Sequence, residues 1–532
     1  MKLVCILSTV ILGLFLANQV DSQSKIWQKL NLPKEHIPYF FNSNPNLRKK
    51  CLKDDLCPYK EFAEKNATKC WGYEKNCKTS KRLFLPECPG SSNGWVTDKQ
   101  EQIDTFWKQG DFGYVKERLN EMKTYCKGEE LGDSSLECVD HLRMCRAKNI
   151  FFNFADLNSK STNDRYREDI FKQGQVGGKC KLDSDLMRKN GDHKSPLQSW
   201  YSELQLFEDF GKNPIDDKKC DIVVNEPTFI IKLDAGVNMY HHFCDFINLY
   251  VTQHANNSFL QNVNIVFWDT SGTDYWSYFS DMWKVFSNKK PIHIKSYDKK
   301  KVCFRDAVFS FLARMRFGLF YNMPLIYGCH STGLFRSFSE HVLHRFKIEQ
   351  TGPLENKIRI TFLARGTQFR NVLNQDQIVK EIRKKLGKEV DLNVVTYDIN
   401  VPFIEQVRTT HNTDIFMSMH GSGLTHLLFL PDWAAVFEIH NCEDKDCYLD
   451  LARLRGIKYY TWENESKVYP QDEGKHPQLG TPHKKFTNYS FDTVEFVRMI
   501  KKMIAYVKNH SKYREKMSSK YNKNFSEEKT EL

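Results

Sequence analysis

Between Asp414 and His440 the chain reads as strand, glycine turn, helix and strand, an order that commits these residues to a βα unit of an α/β sheet. Ile415 to Met419 is an apolar run of strand length, and His420-Gly421-Ser422-Gly423 is a turn. Leu424 to Leu430 spans two helical turns before Pro431 stops it, and Ala434 to Ile439 is a second apolar run that carries Glu438 near its end. Such a turn sets the unpaired N–H groups and partial positive charge of a helix N-terminus at a strand end, where a diphosphate fits. Gly-x-Gly alone is a weak signal, because an ordinary tight βα turn uses the same residues.

The same alternation extends outward. Strands at Ile222 to Val224, Phe229 to Leu233, Val263 to Trp268, Ile292 to Ile294 and Val302 to Phe304 interleave with helices at Asn238 to Gln253, Tyr275 to Phe286 and Leu334 to Phe346. After the polar break at Gly352-Pro353 it restarts with strand Ile358 to Leu363, helix Asn374 to Leu386, strand Leu392 to Val395 and helix Phe403 to Thr409. Beyond the opening unit come helix Tyr448 to Leu454, strand Ile457 to Trp462 and a helix Thr493 to Val507 that is expected to cross back over the first block. Strands alternating with helices imply mostly parallel sheets covered on both faces. The expectation is an α/β protein of two Rossmann-like domains facing across a cleft, a GT-B-like arrangement, behind a cysteine-rich N-terminal region. The boundaries that follow are 1–22 (signal segment), 23–219 (cysteine-rich), 220–352 (first, acceptor-side domain), 353–490 (second, nucleotide-sugar domain), 491–528 (helix and tail) and 529–532.

A chain of 532 residues is long enough for such cores. Its net charge of +12 comes with an ordinary 27% of charged residues and no basic stripes interleaved with aromatics, so no nucleic-acid role is expected. Lys2, the apolar run Leu3 to Ala17 and the small residues before Ser22 read as a cleaved signal segment, and no later run has the length of a membrane span. Sixteen cysteines, of which Cys5 falls in that segment, read as disulfides of an oxidising compartment with at least one thiol left over. Zinc would want Cys-x-x-Cys pairs, which are lacking. Asn-x-Ser/Thr sequons stand at Asn66, Asn256, Asn464, Asn488, Asn509 and Asn524. Lys529-Thr530-Glu531-Leu532 is a variant of the address by which a receptor returns lumenal proteins to the endoplasmic reticulum.

Candidate chemistry gathers at three places. On the helix after Asp234, Phe243, Phe246, Ile247 and Tyr250 share one face, while Asn238, His241, Asp245 and Asn248 share the other. No Lys, Arg or Glu occurs from Asp234 to His254, which suits a cleft wall better than a solvent face. His241 and Asp245, four apart, are placed to meet as a general-base pair, and His242 reads as a structural histidine. Arg365 and Arg370 follow a strand on either side of Gly366-Thr367 and can clamp phosphate oxygens, unless they are loop arginines in solvent. Glu438 at a strand end suits a pair of ribose hydroxyls, and His420 beside the turn suits a diphosphate. The turn is not a serine-hydrolase elbow, because a histidine stands where its first glycine belongs.

These residues resemble glycosyltransferase family 61. The likeness rests on Asp234-Ala235-Gly236-Val237-Asn238-Met239-Tyr240-His241-His242-Phe243-Cys244-Asp245-Phe246, on the arginine loop and on His420-Gly421-Ser422-Gly423-Leu424-Thr425-His426. Lys194 to Trp200, Cys70 to Lys75, Phe106 to Gln109 and Leu430 to Glu438 extend it over nearly the whole chain. The resemblance implies inverting transfer of N-acetylglucosamine from UDP-N-acetylglucosamine to Ser or Thr of folded, disulfide-bonded EGF repeats, including those of Notch-type receptors, in the endoplasmic reticulum lumen. It implies that Arg365, Arg370, His420, Gly421, Ser422, Gly423 and Glu438 hold the donor and that Asp245 or His241 is the base. Relatives carry Asp-Tyr-Asp just before the strand at Ile292, whereas Asn288-Lys289-Lys290 stands here. That departure argues against a metal at this triplet and leaves dependence on a divalent cation (Mn or Mg) open. Two other readings stay in play, a non-catalytic lumenal binding protein on a decayed transferase fold and a family member using another sugar.

Overall fold

The computed structural model describes residue 27 and residues 30–528, apart from 66–67, 91–93, 159–161, 192–194, 274, 276, 315–317 and 321–322. The expected signal segment, the tetrapeptide Lys529 to Leu532, Lys194 and the sequon asparagine Asn66 lie outside the described residues, as does the side chain of Asn524. Of the other sequons, Asn464 and Asn509 are exposed, while Asn256 and Asn488 are half-buried. Among the described residues no helix is long and apolar enough to cross a membrane.

The first sheet has eleven strands and is mixed. In chain order its main parts are β1 (Cys145–Asn153), β2 (Thr228–Ile231), α1 (Met239–Ala255), β3 (Asn264–Phe267), β4 (Ile292–His293), β5 (Lys301–Phe309) and α2 (Gly333–Arg345). The spatial order is β4-β3-β2-β5-β1, with β4, β3, β2 and β5 parallel and β1 antiparallel to β5 along its whole length. Beyond β1 lie the antiparallel strands Ser135–Cys138, Lys123–Lys127 and Lys181–Leu182. The sheet therefore runs across the expected boundary at residue 219, and one apolar core reaches from Trp27 to Ile457. Short hairpin strands leave little periodicity in a cysteine-rich sequence, so the sharing of one sheet by the two regions was not visible there.

Six disulfides staple this half: Cys51–Cys57, Cys70–Cys77, Cys88–Cys329, Cys126–Cys180, Cys138–Cys145 and Cys220–Cys303. Cys244, Cys442 and Cys447 are free. The one described trio of potential metal ligands, Cys70, Glu74 and Cys77, has its two sulfurs tied in a disulfide.

Helices Lys99–Gly110 and Phe112–Asn120 are separated at Asp111, whose carboxylate caps the second through Phe112 N–H (2.8 Å). The same carboxylate takes the N–H groups of Gly333 and Leu334 at 3.0 and 2.9 Å, so one buried acid caps two helices. Where a helix from Tyr275 to Phe286 was expected, the described residues hold short turns at Ser280–Met282 and Trp283–Phe286. Helix α1 is capped by Asn238, which accepts from His241 N–H, and from His242 to Ala255 every residue is buried. The lack of long charged side chains on α1 thus reflects a helix in the middle of a core; only its first turn meets a cleft.

The second sheet is five-stranded and wholly parallel: β6 (Ile358–Leu363), α3 (Gln375–Leu386), β7 (Val390–Val395), α4 (Phe403–His411), β8 (Ile415–Ser418), β9 (Ala435–Glu438), α5 (Cys447–Arg455) and β10 (Lys458–Thr461). Its order β7-β6-β8-β9-β10 reverses winding between β6 and β8. A crevice opens at the carboxyl ends of the strands at such a switch point, and ligands bind there. The closing helix α6 (Thr493–Asn509) does not cross back to the first block. Phe496, Ile500 and Met503 pack it onto Ile358, Ile360 and Phe362 of this second sheet.

The first core also buries imidazoles. His341 is fully buried with neither ring nitrogen bonded, and His254 bonds Tyr73 through Nδ1 (3.0 Å) while its Nε2 has no partner. Burial holds both well below the ordinary histidine range. A depressed histidine contributes stability above its unfolded value, about 6.5, and that contribution is lost as pH falls toward the folded value. Denaturant unfolding at pH 7.5 and 5.5 should show a loss of roughly 1 kcal/mol per histidine per pH unit below 6.5. His341→Phe, whose ring neighbours are Tyr250, Phe259 and Phe286, should remove its share of that loss and unfold no earlier at pH 7.5.

Candidate active site

A cleft of about 770 Å³ opens between the sheets. Asn238, Tyr240 and His241 from the first turn of α1 form one wall; Arg365, Arg370, His420, Gly421, Ser422, Tyr448 and Lys485 form the other. Arg365 leaves the end of β6 and His420 the end of β8, the two strands that flank the switch point.

The arginines converge. Arg365 Nη1 and Arg370 Nη1 both donate to the His420 carbonyl, at 3.2 and 3.1 Å. Arg365 also donates to Phe369 O (3.3 Å) and Thr367 Oγ1 (3.0 Å). Neither guanidinium has an ion-pair partner among the described residues, and Arg370 Nε is buried without any hydrogen bond. Burial, then the neighbouring Arg370, pulls Arg365 down to about 10. Arg370 occupies the left-handed region (φ 63°), held by its N–H on Thr487 O at 2.8 Å. That conformation costs a non-glycine residue about 1–2 kcal/mol. Two clustered, underpartnered cations, one on a strained backbone, make an anion site.

The glycine turn is shaped by the same contact. A Cβ on Gly421 would lie 2.0 Å from Arg365 Nη1, and one on Gly423 would lie 2.6 Å from Leu363 Cδ2. The expected helix after the turn forms as a 3-10 segment, Ser422–Phe429, with Ser422 at the cleft. His420 is buried, and its Nδ1 meets Glu438 Oε1 at 2.7 Å. The other Glu438 oxygen accepts from the Tyr459 hydroxyl. Glu438 is fully buried and away from the cleft lining, so it is not placed for ribose hydroxyls as expected; it orients His420. Burial raises its carboxyl, and the hydrogen bonds from His420 and Tyr459 work against that rise.

Across the cleft the expected dyad is rearranged. His241 Nδ1 lies 3.1 Å from Asp234 Oδ2, and Arg314 Nε pairs with that carboxylate at 2.8 Å. Burial would lift Asp234, but the bonds from His241 and Arg314 outweigh it and hold the carboxyl below its ordinary value. Asp245 instead faces inward. It accepts from Asp234 N–H (3.0 Å) and meets His242 Nδ1 (3.0 Å), and burial drives both toward their neutral forms, His242 to about 3. A one-residue shift in pairing follows from α1 entering the core one turn after its cap. Asp234, Arg314, Tyr448 and Lys485 were missed; Asp234 precedes a glycine loop that folds back on the helix, and Arg314 and Tyr448 carry no spacing signal. At the place of the relatives' acidic triplet, Lys289 Nζ bonds Glu226 (3.0 Å) and Asn264 (3.3 Å), an arrangement that does not fit a metal.

A parallel sheet with two arginines that have no carboxylate partner among the described residues at its switch point defines an α/β protein with a site suited to an anion at a sheet edge. Residues 239–437 match the model of the family Glycosyltransferase 61. The chain is 53% identical over 495 residues to the EGF domain-specific O-linked N-acetylglucosamine transferase of Gallus gallus, with 92% of each chain covered. The protein of the same name from Mus musculus is 53% identical over 488 residues, again 92% of each chain. That from Drosophila melanogaster is 44% identical over 488 residues, 91% of this chain and 92% of its own. The chain belongs to glycosyltransferase family 61, and it is an enzyme of that class.

Arg365→Ala and Arg370→Ala should each weaken binding of inorganic pyrophosphate by about 10- to 100-fold, the range expected for one lost charge-assisted hydrogen-bonding group. Titration calorimetry checks this. Gly421→Ala should lose pyrophosphate affinity as Arg365→Ala does, because its new methyl occupies the guanidinium position.

Proposed function

We propose that this chain transfers N-acetylglucosamine from UDP-N-acetylglucosamine to Ser or Thr of folded EGF repeats, Notch-type receptors among them. In this reading the second sheet is the UDP-sugar domain and the parallel strands β2 to β5 belong to the acceptor-side block of a GT-B-like pair. The observation that carries it is the convergence of Arg365 and Arg370 on the His420 carbonyl in a cleft whose facing wall holds His241, backed by Asp234.

His241 Nδ1 faces both Asp234 Oδ2 and Arg314 Nη2 at 3.1 Å; in the tautomer that donates Nδ1–H to Asp234, Nε2 is the base. It takes the proton of the acceptor hydroxyl while that oxygen bonds to the anomeric carbon from the face opposite the diphosphate. The carbon–oxygen bond to the diphosphate breaks in the same displacement, which inverts the anomeric centre. The electron pair leaves on the phosphate, where the two guanidinium groups stabilise the added charge. Six disulfides and the sequons suit a lumenal protein, and with the terminal Lys529 to Leu532 they support residence in the endoplasmic reticulum through its retrieval receptor.

The test is incubation of the purified protein with a folded EGF repeat and labelled UDP-sugars, read by mass spectrometry. A mass gain of one N-acetylhexosamine on Ser or Thr is expected. A protein that binds the repeat but turns over no UDP-sugar would sink the proposal, and a mass gain from another donor would change the sugar. The same assay with a chelator settles whether a divalent cation takes part. His241→Ala should lower kcat by about 10²- to 10⁴-fold with little change in UDP affinity. Asp234→Asn should lower kcat less, whereas Asp245→Asn should lower the melting temperature.

A further inference from the structure

Tyr448 is the second residue of α5 and belongs to the wall that carries Arg365, Arg370 and His420. Only 3% of the residue is exposed. Its ring meets the His420 imidazole edge-on, with centroids 5.3 Å apart, and meets Tyr240 of the facing wall edge-on at 5.6 Å. His420 is itself locked by Glu438, and Tyr240 packs on Phe320 (4.6 Å), so the phenol is held from both sides. These neighbours place it where the two walls meet. His420 supplies the carbonyl that the arginines share, and Tyr240 precedes His241.

The hydroxyl at the end of this ring makes no hydrogen bond among the described residues. Unlike the Tyr125 hydroxyl, which is sealed in the core without a partner, it opens on the cleft. A tyrosine buried to this degree ordinarily has its hydroxyl satisfied. The acids of the same wall do not serve it: Asp444 is taken by Lys485 (2.7 Å) and Asp450 by Arg453 (2.6 Å). Burial pushes the phenol well above its ordinary range, Cys447 and Glu438 add to the rise, and Arg370 and Arg365 pull the other way. The hydroxyl is therefore a neutral donor that keeps its proton, within reach of the field of both guanidinium groups. What it lacks is an acceptor.

We propose that Tyr448 is a third donor to the leaving diphosphate, its O–H completing the anion site begun by Arg365 and Arg370. This rests on the reading that the cleft holds a nucleotide sugar, although the contact itself needs only the diphosphate. With no protein partner to give up, the hydroxyl loses no internal hydrogen bond when the anion arrives. Its ring is already fixed by His420 and Tyr240, so no reorganisation is needed at the moment of reaction. The bond it donates strengthens as the sugar–oxygen bond breaks and negative charge collects on the phosphate, which favours the transition state over the bound donor.

Tyr448→Phe tests it, because it keeps both ring contacts and removes only the hydroxyl. The melting temperature should not fall, since the folded protein loses no hydrogen bond. Affinity for inorganic pyrophosphate, read by titration calorimetry, should drop about 10-fold, the effect of one hydrogen bond to a charged group. With a folded EGF repeat and UDP-N-acetylglucosamine, kcat should drop about 10-fold or more while the KM for the repeat stays as in the unaltered protein. An unchanged pyrophosphate affinity would overturn the proposal, as would a lowered melting temperature, which would make the hydroxyl structural. An unaltered protein that binds no pyrophosphate removes the anion site and the proposal with it. A protein that binds pyrophosphate through Tyr448 but glycosylates no repeat keeps the third donor and loses the enzymatic reading.

Discussion

Two guanidinium groups share one backbone oxygen, the carbonyl of His420. Their Nη1 atoms are therefore about 6 Å apart at most, and at an effective dielectric near 20 like charges at that distance repel by on the order of 2–3 kcal/mol. One carbonyl dipole does not offset this, and no carboxylate among the described residues does either. The depressed Arg365 records the same imbalance. The arrangement survives because Gly421 has no side chain to contest the space, Thr487 O fixes Arg370, and Glu438 locks His420 from behind. The site is preorganised for negative charge and gains most when that charge is largest, which in the proposed reaction is on the departing diphosphate.

The first sheet supplies a different kind of rigidity. Its centre is the antiparallel pair β1–β5, which sews the cysteine-rich third to the parallel strands and leaves α1 buried on nearly all sides. Only the first turn of α1 emerges, and it carries His241 to the cleft while the next residues, His242 and Asp245, seal each other inside. Asp245 also accepts the N–H of Asp234, so the buried pair steadies the loop that holds the partner of His241. The structural pair and the proposed chemical pair meet where the first turn of α1 joins the loop before it, divided by which side of the wall they face.

Much of the second sheet was legible in the chain. Strand Ile358–Leu363 and helices near 375–386 and 403–411 match the apolar periodicities closely, because the central strands β8 and β9 are fully buried and β6 nearly so, and each covering helix has one apolar face. The arginine pair was legible too, since residues just after a parallel strand fall at its carboxyl edge. The cysteine-rich half was not, because disulfides and short hairpins do the work that periodic burial does elsewhere. Glu438 misled for a related reason: a strand-end acid can point to a ligand or back into the sheet, and the choice was made by Tyr459 on the neighbouring strand.

What the sequence by itself determined is local: the order of strands and helices, the glycines at 421 and 423, the placement of Arg365 and Arg370 after one strand, and the family to which these motifs belong. Tertiary structure decided the partners. His241 took Asp234 and not Asp245, Glu438 took His420, and Cys88 took Cys329, 241 residues away. Spacing along a helix or strand sets only which face a residue shares with its neighbours. Which of those faces is buried, and against what, depends on chain segments tens or hundreds of residues away.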